Sequence, residues 1–439
     1  MRKQLHIYGL LFSMSFIGFA QNGPGGVGTS DGTSSLRVWL KSDDIDADGD
    51  NTDNPINGTA ISTWSDNSGN TNNFTQAGAN RPTYNTTGTF NAVNFNSGLA
   101  TAQFMNGTIT GSFANASAYF VINPVNTGNS HSLFDNTTAS LRVEQWFNTS
   151  RVGFTRYGVA DYATTMASPF GINSIISYHK AGGSTNLNVR VNAATQVLNI
   201  GSTTAGIPYD RIGRNSNGAD EATGDFLEIL LYNNSLNAAQ TIIVDNYLSA
   251  KYGSILIPIN VYNEDDIAAG NYDHDVAGIG RVDAANFHND SQGTGIIRVL
   301  NPSGLGNDEF LMWGHDNGAL LLNNVTDIPT SIQSRLDRVW RVSEVSTLGA
   351  PVDVGSIDLR FDLTGLSGIT TPYLRLLVDT DNDGLFNDET PIYGATSLGG
   401  NIYSFTGITA LSNNVRFTLA TAVRKVITNR NITYRINRN

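Results

Sequence analysis

Short apolar runs broken by Gly, Asn and Pro recur along almost the whole chain, and helical periodicity is nearly absent. Strand-like runs fall at 35–42, 92–95, 118–123, 141–147, 151–157, 172–179 and 187–197. In the last, Leu187, Val189 and Val191 alternate with Asn188, Arg190 and Asn192. That period of two puts one face in a core and the other in water, the pattern of an antiparallel sheet. A parallel α/β fold needs a helix between successive strands. The first 255 residues offer one, after the apolar strand 226–232: Asn237 as N-cap, Gln240 three residues on, Ile243, Tyr247 and Leu248 on one face, and Gly253 as the stop. This helix is expected to close over an edge or end of a sandwich. Further strand-like runs at 339–345, 356–363 and 373–379 extend the all-β pattern into the second half.

The start of the chain reads as an export signal. Arg2 and Lys3 precede an apolar run at 8–19, too short to span a bilayer core, and Gly18-Phe19-Ala20 supplies small residues for cleavage before Gln21. Removing Arg2 and Lys3 takes the formal charge from −12 to −14. A sparsely charged acidic chain is a poor nucleic-acid ligand. Cysteine is absent, which excludes disulfides, thiol catalysis and zinc–thiolate sites. The 439 residues suffice for two domains stabilised by buried area alone. The expected division is a signal at 1–20, a flexible leader at 21–34, domains at 35–256 and 257–422, and a basic tail or terminal hairpin at 423–439. No transmembrane segment is expected in the mature chain.

Specific segments carry a resemblance. The end of the first half, DFLEILLYNNSLNAAQTIIVDNYLSAKYG at 225–253, with WSDNSGNTNNFTQ at 64–76, RPTY at 81–84 and AVNFNSG at 92–98, resembles a concanavalin A-like (LamG-type) jelly roll. That family includes lectins, glucanases and adhesin modules. In the second half, YDHDVAGIGRVD at 272–283, EFLMWGHDNG at 309–318 and RLDRVWRVSE at 335–344 resemble a β-rich extracellular domain of unknown function that follows such jelly rolls in Bacteroidetes surface proteins. The resemblance implies an all-β chain: a concanavalin A-like jelly-roll sandwich followed by a second antiparallel β-sandwich. The tail is loosely similar to type IX secretion signals.

Chemistry is sought among carboxylates, histidines and exposed aromatics. Asp379, Asp381 and Asp383 alternate before Gly384. With the Leu385 carbonyl and Asp388 or Glu389 they make an oxygen-rich set for structural calcium, although Thr390 stands where an EF-hand places its bidentate acid. Asp44, Asp46 and Asp48 precede Gly49 at the same spacing, with Pro55 where the last ligand is expected. His274, His288 and His315 neighbour acids, without the helical spacing of a zinc site; turn packing is the plainer reading. A glycoside hydrolase needs two carboxylates across a cleft. Asp225, Glu228 and the isolated Glu144 do not form the alternating acid run of the fold's enzymes. Gly23 to Gly28 matches G-x-G-x-x-G formally, but no strand precedes it.

The expectation is an exported, noncatalytic binding protein, carbohydrate-binding or adhesive, with structural calcium. Its partners would be an extracellular polysaccharide or surface glycan, or other surface proteins. Trp64, Trp146 and Tyr157 are the candidate sugar-stacking residues. The alternatives are a purely structural or protein-docking adhesin, and a glycoside hydrolase on the jelly roll.

Overall fold

The computed structural model describes residues 21–96, 98, 102–145, 150–367 and 369–423; the segment read as an export signal, Trp146 and the basic tail from 424 lie outside the described residues. The chain is all-β, with two antiparallel sandwiches and a helix packed between them.

The first sandwich stacks two eight-stranded sheets. One sheet runs Ala194–Asn199, Asn186–Val191, Ser174–Lys180, Ala116–Pro124 and Gly224–Tyr232. The far edge of Gly224–Tyr232 is shared, pairing with Ala92–Phe95 at its start and Leu36–Lys41 at its end. The other sheet is built around Ala160–Ala167, Arg151–Arg156, Ala139–Glu144 and His131–Asp135. Between them Trp64, Phe74, Phe120, Phe134, Tyr178 and Phe226 form one apolar layer. Each such side chain contributes about 1.5–3 kcal/mol by leaving water. The run at 187–197 is two strands rather than one: Asn192 (φ 46) and Ala193 (φ 63) turn the chain back. Two consecutive positive φ angles are the signature of a hairpin turn, and Asn-Ala signals it weakly where Asn-Gly would have been plain.

The helix, Ala238–Lys251, begins with the expected box. The Asn237 side chain accepts from the Gln240 N–H at 2.9 Å, and the Asn237 N–H donates to Gln240 Oε1 at 3.2 Å. Its position differs from the expectation. It lies over the outer face of the first sheet, on Tyr119, Leu227 and Leu230, with Val276, Phe310, Met312 and Val345 of the second module in the same apolar cluster. Partners on both sides explain why Ile242, Ile243, Val244, Tyr247 and Leu248 are all buried rather than confined to a stripe.

The second module pairs a seven-stranded sheet with a five-stranded one around Trp313, Trp340, Phe361, Phe405 and Phe417. Expected strands appear at Trp340–Ser346, Ile357–Asp362 and Leu374–Val378.

The segment read as a flexible leader is instead packed. Pro24–Gly26 forms a buried 3-10 turn between the helix and the second module. Gln292 and Gly293 donate their N–H groups to the Gln21 carbonyl at 3.0 Å each, and His288 Nε2 lies 2.9 Å from the Gly26 carbonyl. At Gly26 (φ +84) an added Cβ would stand 1.7 Å from Ser291 Oγ, so its glycine permits close contact rather than mobility.

Candidate functional site

Tyr157 is the candidate aromatic that reaches a surface groove. It starts the turn between Arg151–Arg156 and Ala160–Ala167, and its ring is half-buried. Its hydroxyl donates to Asp135 Oδ2 at 2.6 Å and accepts from Arg142 Nη2 at 3.2 Å. Arg142 is buried, with Nη1 2.6 Å from Asp220 Oδ2 and 2.8 Å from Ser130 Oγ. Burial pushes the Asp135 carboxyl up to about 6, against the opposing effect of its donors Tyr157 and Ser140 and the Ser216 N–H. Burial likewise raises the Tyr157 phenol, keeping it neutral at physiological pH.

This network holds the ring between two shallow clefts that share Arg156, Tyr157 and Val159. One, of about 450 Å³, presents Asp161, Asn215, Asn217 and Asp220; the other, of about 340 Å³, presents the hydroxyls of Ser112, Thr138, Ser202 and Thr204. An aromatic ring flanked by amides, carboxylates and hydroxyls offers a stacking face and both senses of hydrogen bond. Sequence reading missed Asp135, Arg142 and Asp220. The available signal was a charged residue within an apolar strand run, Arg142 beside Leu141 and Val143.

Trp64 corrects the expectation. It is 0% exposed in the first core, and its Nε1 donates to the Lys41 carbonyl at 2.8 Å. No sugar can stack on it without unfolding the sandwich. Trp146 lies outside the described residues.

Both acidic loops bring three carboxylates together, each set offering oxygens within 4.8 Å of one another, so either group can hold a metal ion. Their surroundings differ. Asp379 is 0% exposed, and its Oδ2 already accepts from Arg416 Nη2 at 2.7 Å and Nε at 3.1 Å. The Asp383 N–H donates to Asp379 Oδ1 at 3.1 Å. Glu389 accepts from Thr380, while Leu385 and Asp388 are exposed; neither Asp388 nor Glu389 belongs to the three-carboxylate group. In the other loop Ala47 (φ 63) and Gly49 (φ 87) curl the chain so that Asp44, Asp46 and Asp48 converge. Asp44 is 2% exposed; its Oδ2 lies 2.8 Å from Lys41 Nζ, and its Oδ1 has no hydrogen-bond partner.

Asp44 and Asp48 open into a cleft of about 930 Å³ between the two modules. The opposite wall carries His274, Asp275, Thr294, His315 and Arg338. The histidines that neighbour acids in sequence are therefore partly brought together: His274 and His315 stack with centroids 5.6 Å apart, and His315 Nε2 lies 2.8 Å from Asp275 Oδ2. Burial works against ionising Asp275, but the His315 hydrogen bond and charge, with the Thr294 hydrogen bond and the Arg338 charge, outweigh it and hold the carboxyl down at about 2. His288 is elsewhere, on the Gly26 carbonyl.

The acids weighed for hydrolysis are otherwise engaged. Glu228 is 0% exposed, and its carboxylate accepts from Trp39 Nε1 at 2.7 Å, Tyr247 at 3.0 Å, Tyr252 at 2.8 Å and Lys251 at 2.8 Å. Asp225 accepts from Asn85 and Asn94, and Glu144 is buried with the Ser150 N–H on its Oε1.

Fold and grooves together define a two-module antiparallel β-sandwich protein with polar surface clefts. Residues 240–415 match the family model "Domain of unknown function (DUF8202)", a match that begins inside the helix. No curated protein matches. Among solved structures, domain 4 of AbnA, a GH43 extracellular arabinanase from Geobacillus stearothermophilus in complex with arabinotriose, is similar at 16% identity and TM-score 0.33, over 48% of this chain and 97% of that one. The SAP-like pentraxin of Limulus polyphemus is similar at 11% identity and TM-score 0.28, over 34% and 77%. The CBM40 of Ruminococcus gnavus IT-sialidase bound to sialyllactose is similar at 12% identity and TM-score 0.25, over 30% and 84%.

Proposed function

We propose that this chain is an exported, secreted or cell-surface protein that binds carbohydrate without cleaving it, with calcium as a structural ion. The observation that carries the reading is the pair of clefts around Tyr157. A sugar presents an apolar ring face rimmed by hydroxyls that both donate and accept. The Tyr157 ring answers the first and the Asn, Asp, Ser and Thr lining answers the second. Two clefts meeting at one ring suit consecutive residues of an oligosaccharide. Export by the segment 1–20 puts such a groove where polysaccharides and surface glycans are found.

The test is a glycan-array screen of the chain lacking residues 1–20, repeated with Tyr157→Ala and paired with a reducing-sugar release assay on any glycan bound. Binding without release, weakened about two- to ten-fold in the variant, is the expected result, since an aromatic stacking contact contributes about 0.5–1.5 kcal/mol. Binding indifferent to Tyr157→Ala would move the site elsewhere. No binding at all would favour the structural or protein-docking alternative, and release of reducing ends would revive the hydrolase.

A further inference from the structure

We propose that the cleft between the modules is a cation-dependent binding site, in which Asp44, Asp46 and Asp48 hold a divalent cation whose remaining coordination positions face the cleft. This rests on the calcium reading above and departs from it in two respects: it assigns the ion to one loop, and it makes that ion a ligand-contacting one rather than a staple.

Three observations converge. The carboxylates of Asp44, Asp46 and Asp48 offer oxygens within 4.8 Å of one another. Asp44 is 2% exposed with a buried Oδ1 that no donor reaches, although Lys41 pairs with its other oxygen. Leaving a buried carboxylate oxygen without a partner costs free energy that a bound cation would recover. Finally, the cleft is charged to suit a cation: five aspartates line it against Lys41 and Arg338. In the 379–383 loop the equivalent buried carboxylate, Asp379, already has its partner in Arg416, so a cation there competes with a guanidinium.

Ligand chemistry selects the ion. An all-carboxylate set suits a hard cation, and calcium takes six to eight oxygens. Three aspartates supply only part of that shell. The other positions are left to water or to oxygens of a molecule entering the cleft, whose opposite wall adds Thr294 and Arg338 as hydrogen-bonding groups. The incoming ligand is thus oxygen-rich, a polyol or a carboxylate.

The experiment uses the chain lacking residues 1–20 with calcium and terbium as the only probes. Calorimetry is run on the wild type, on Asp48→Asn at an exposed position, with near-UV circular dichroism as the check on its fold, and on Asp381→Asn as the control in the other loop. One equivalent of calcium should bind the wild type and the Asp381→Asn protein alike, and binding should weaken at least about ten-fold in Asp48→Asn. Terbium in the same site, excited through Trp39 at the cleft wall, should show by its lifetimes in H2O and D2O roughly three or more bound waters. Calcium binding unchanged by Asp48→Asn, lost in Asp381→Asn, or absent from the wild type would overturn the site. A count of one water or none would overturn its opening into the cleft. The Tyr157 screen reads the carbohydrate proposal separately, so either can fail alone.

Discussion

Glu228 sits in the middle of an apolar strand, and four donors converge on its carboxylate: Tyr247 and Lys251 of the helix, Tyr252 just after it, and Trp39. Lys251 also reaches Asp43, 3.1 Å away, which ties the acidic loop to the helix. A carboxylate so placed serves cohesion, because its charge is tolerable in the interior only while every lone pair is engaged. Replacing it by Ala takes the acceptor from the Trp39 indole N–H and the Tyr247 phenol and leaves Lys251 with Asp43 alone. Glu228→Ala is expected to destabilise the fold by about 3–5 kcal/mol, measured as a lower urea midpoint with an unchanged slope. A loss below about 1 kcal/mol would show that the network contributes little. The contrast with Asp44 is instructive: one buried carboxylate is saturated with donors, while the other keeps an oxygen without one.

Among elements, the packed segment 21–28 behaves as a strap between helix and second module, held largely by backbone groups. His288 closes it by donating from Nε2 to the Gly26 carbonyl, an atom that can only accept. Burial pulls this imidazole down to about 4. As pH falls from 6.5 the unfolded chain takes up the proton first, so the stability that neutral His288 contributes is fully present above the ordinary value and drains away toward pH 4. The full difference is about 3 kcal/mol at one pKa unit per 1.36 kcal/mol. Comparing wild type with His288→Gln by chemical denaturation at pH 7.5 and pH 4.5, the stability gap should shrink or reverse at the lower pH. A gap that does not change with pH would mean that the imidazole titrates normally.

For the whole molecule, the decisive feature is an apolar cluster that belongs to neither sandwich alone. It runs from Leu36 and Tyr119 through the helix to Phe310, Met312 and Val345. Modules joined by a polar linker unfold independently, whereas modules sharing a core lose it together. Scanning calorimetry of the chain lacking residues 1–20 should therefore give one endotherm whose calorimetric and van't Hoff enthalpies agree. Two resolved transitions would show the shared cluster to be weaker than its composition implies. The family match at 240–415, which starts within this helix, is consistent with a unit that includes the helix.

Local patterns were legible without coordinates. Period-two alternation at Leu187, Val189 and Val191, the Asn237–Gln240 box and the strands around Trp340, Ile357 and Leu374 are short-range effects of side-chain direction and capping, and they appear where the residues put them. The all-β class and the convergence of each aspartate triplet are determined the same way, by alternation and by tight turns at Gly49 and Gly384. Tertiary structure decided the rest. It buried Trp64, packed Pro24–Gly26 as a strap, gave Asp379 to Arg416 from 37 residues away, and joined Asp44 to His315 across one cleft. A residue's type and neighbours state what it can bond. Only the packing of distant strands decides which partner arrives, and therefore which carboxylate keeps an oxygen for a ligand.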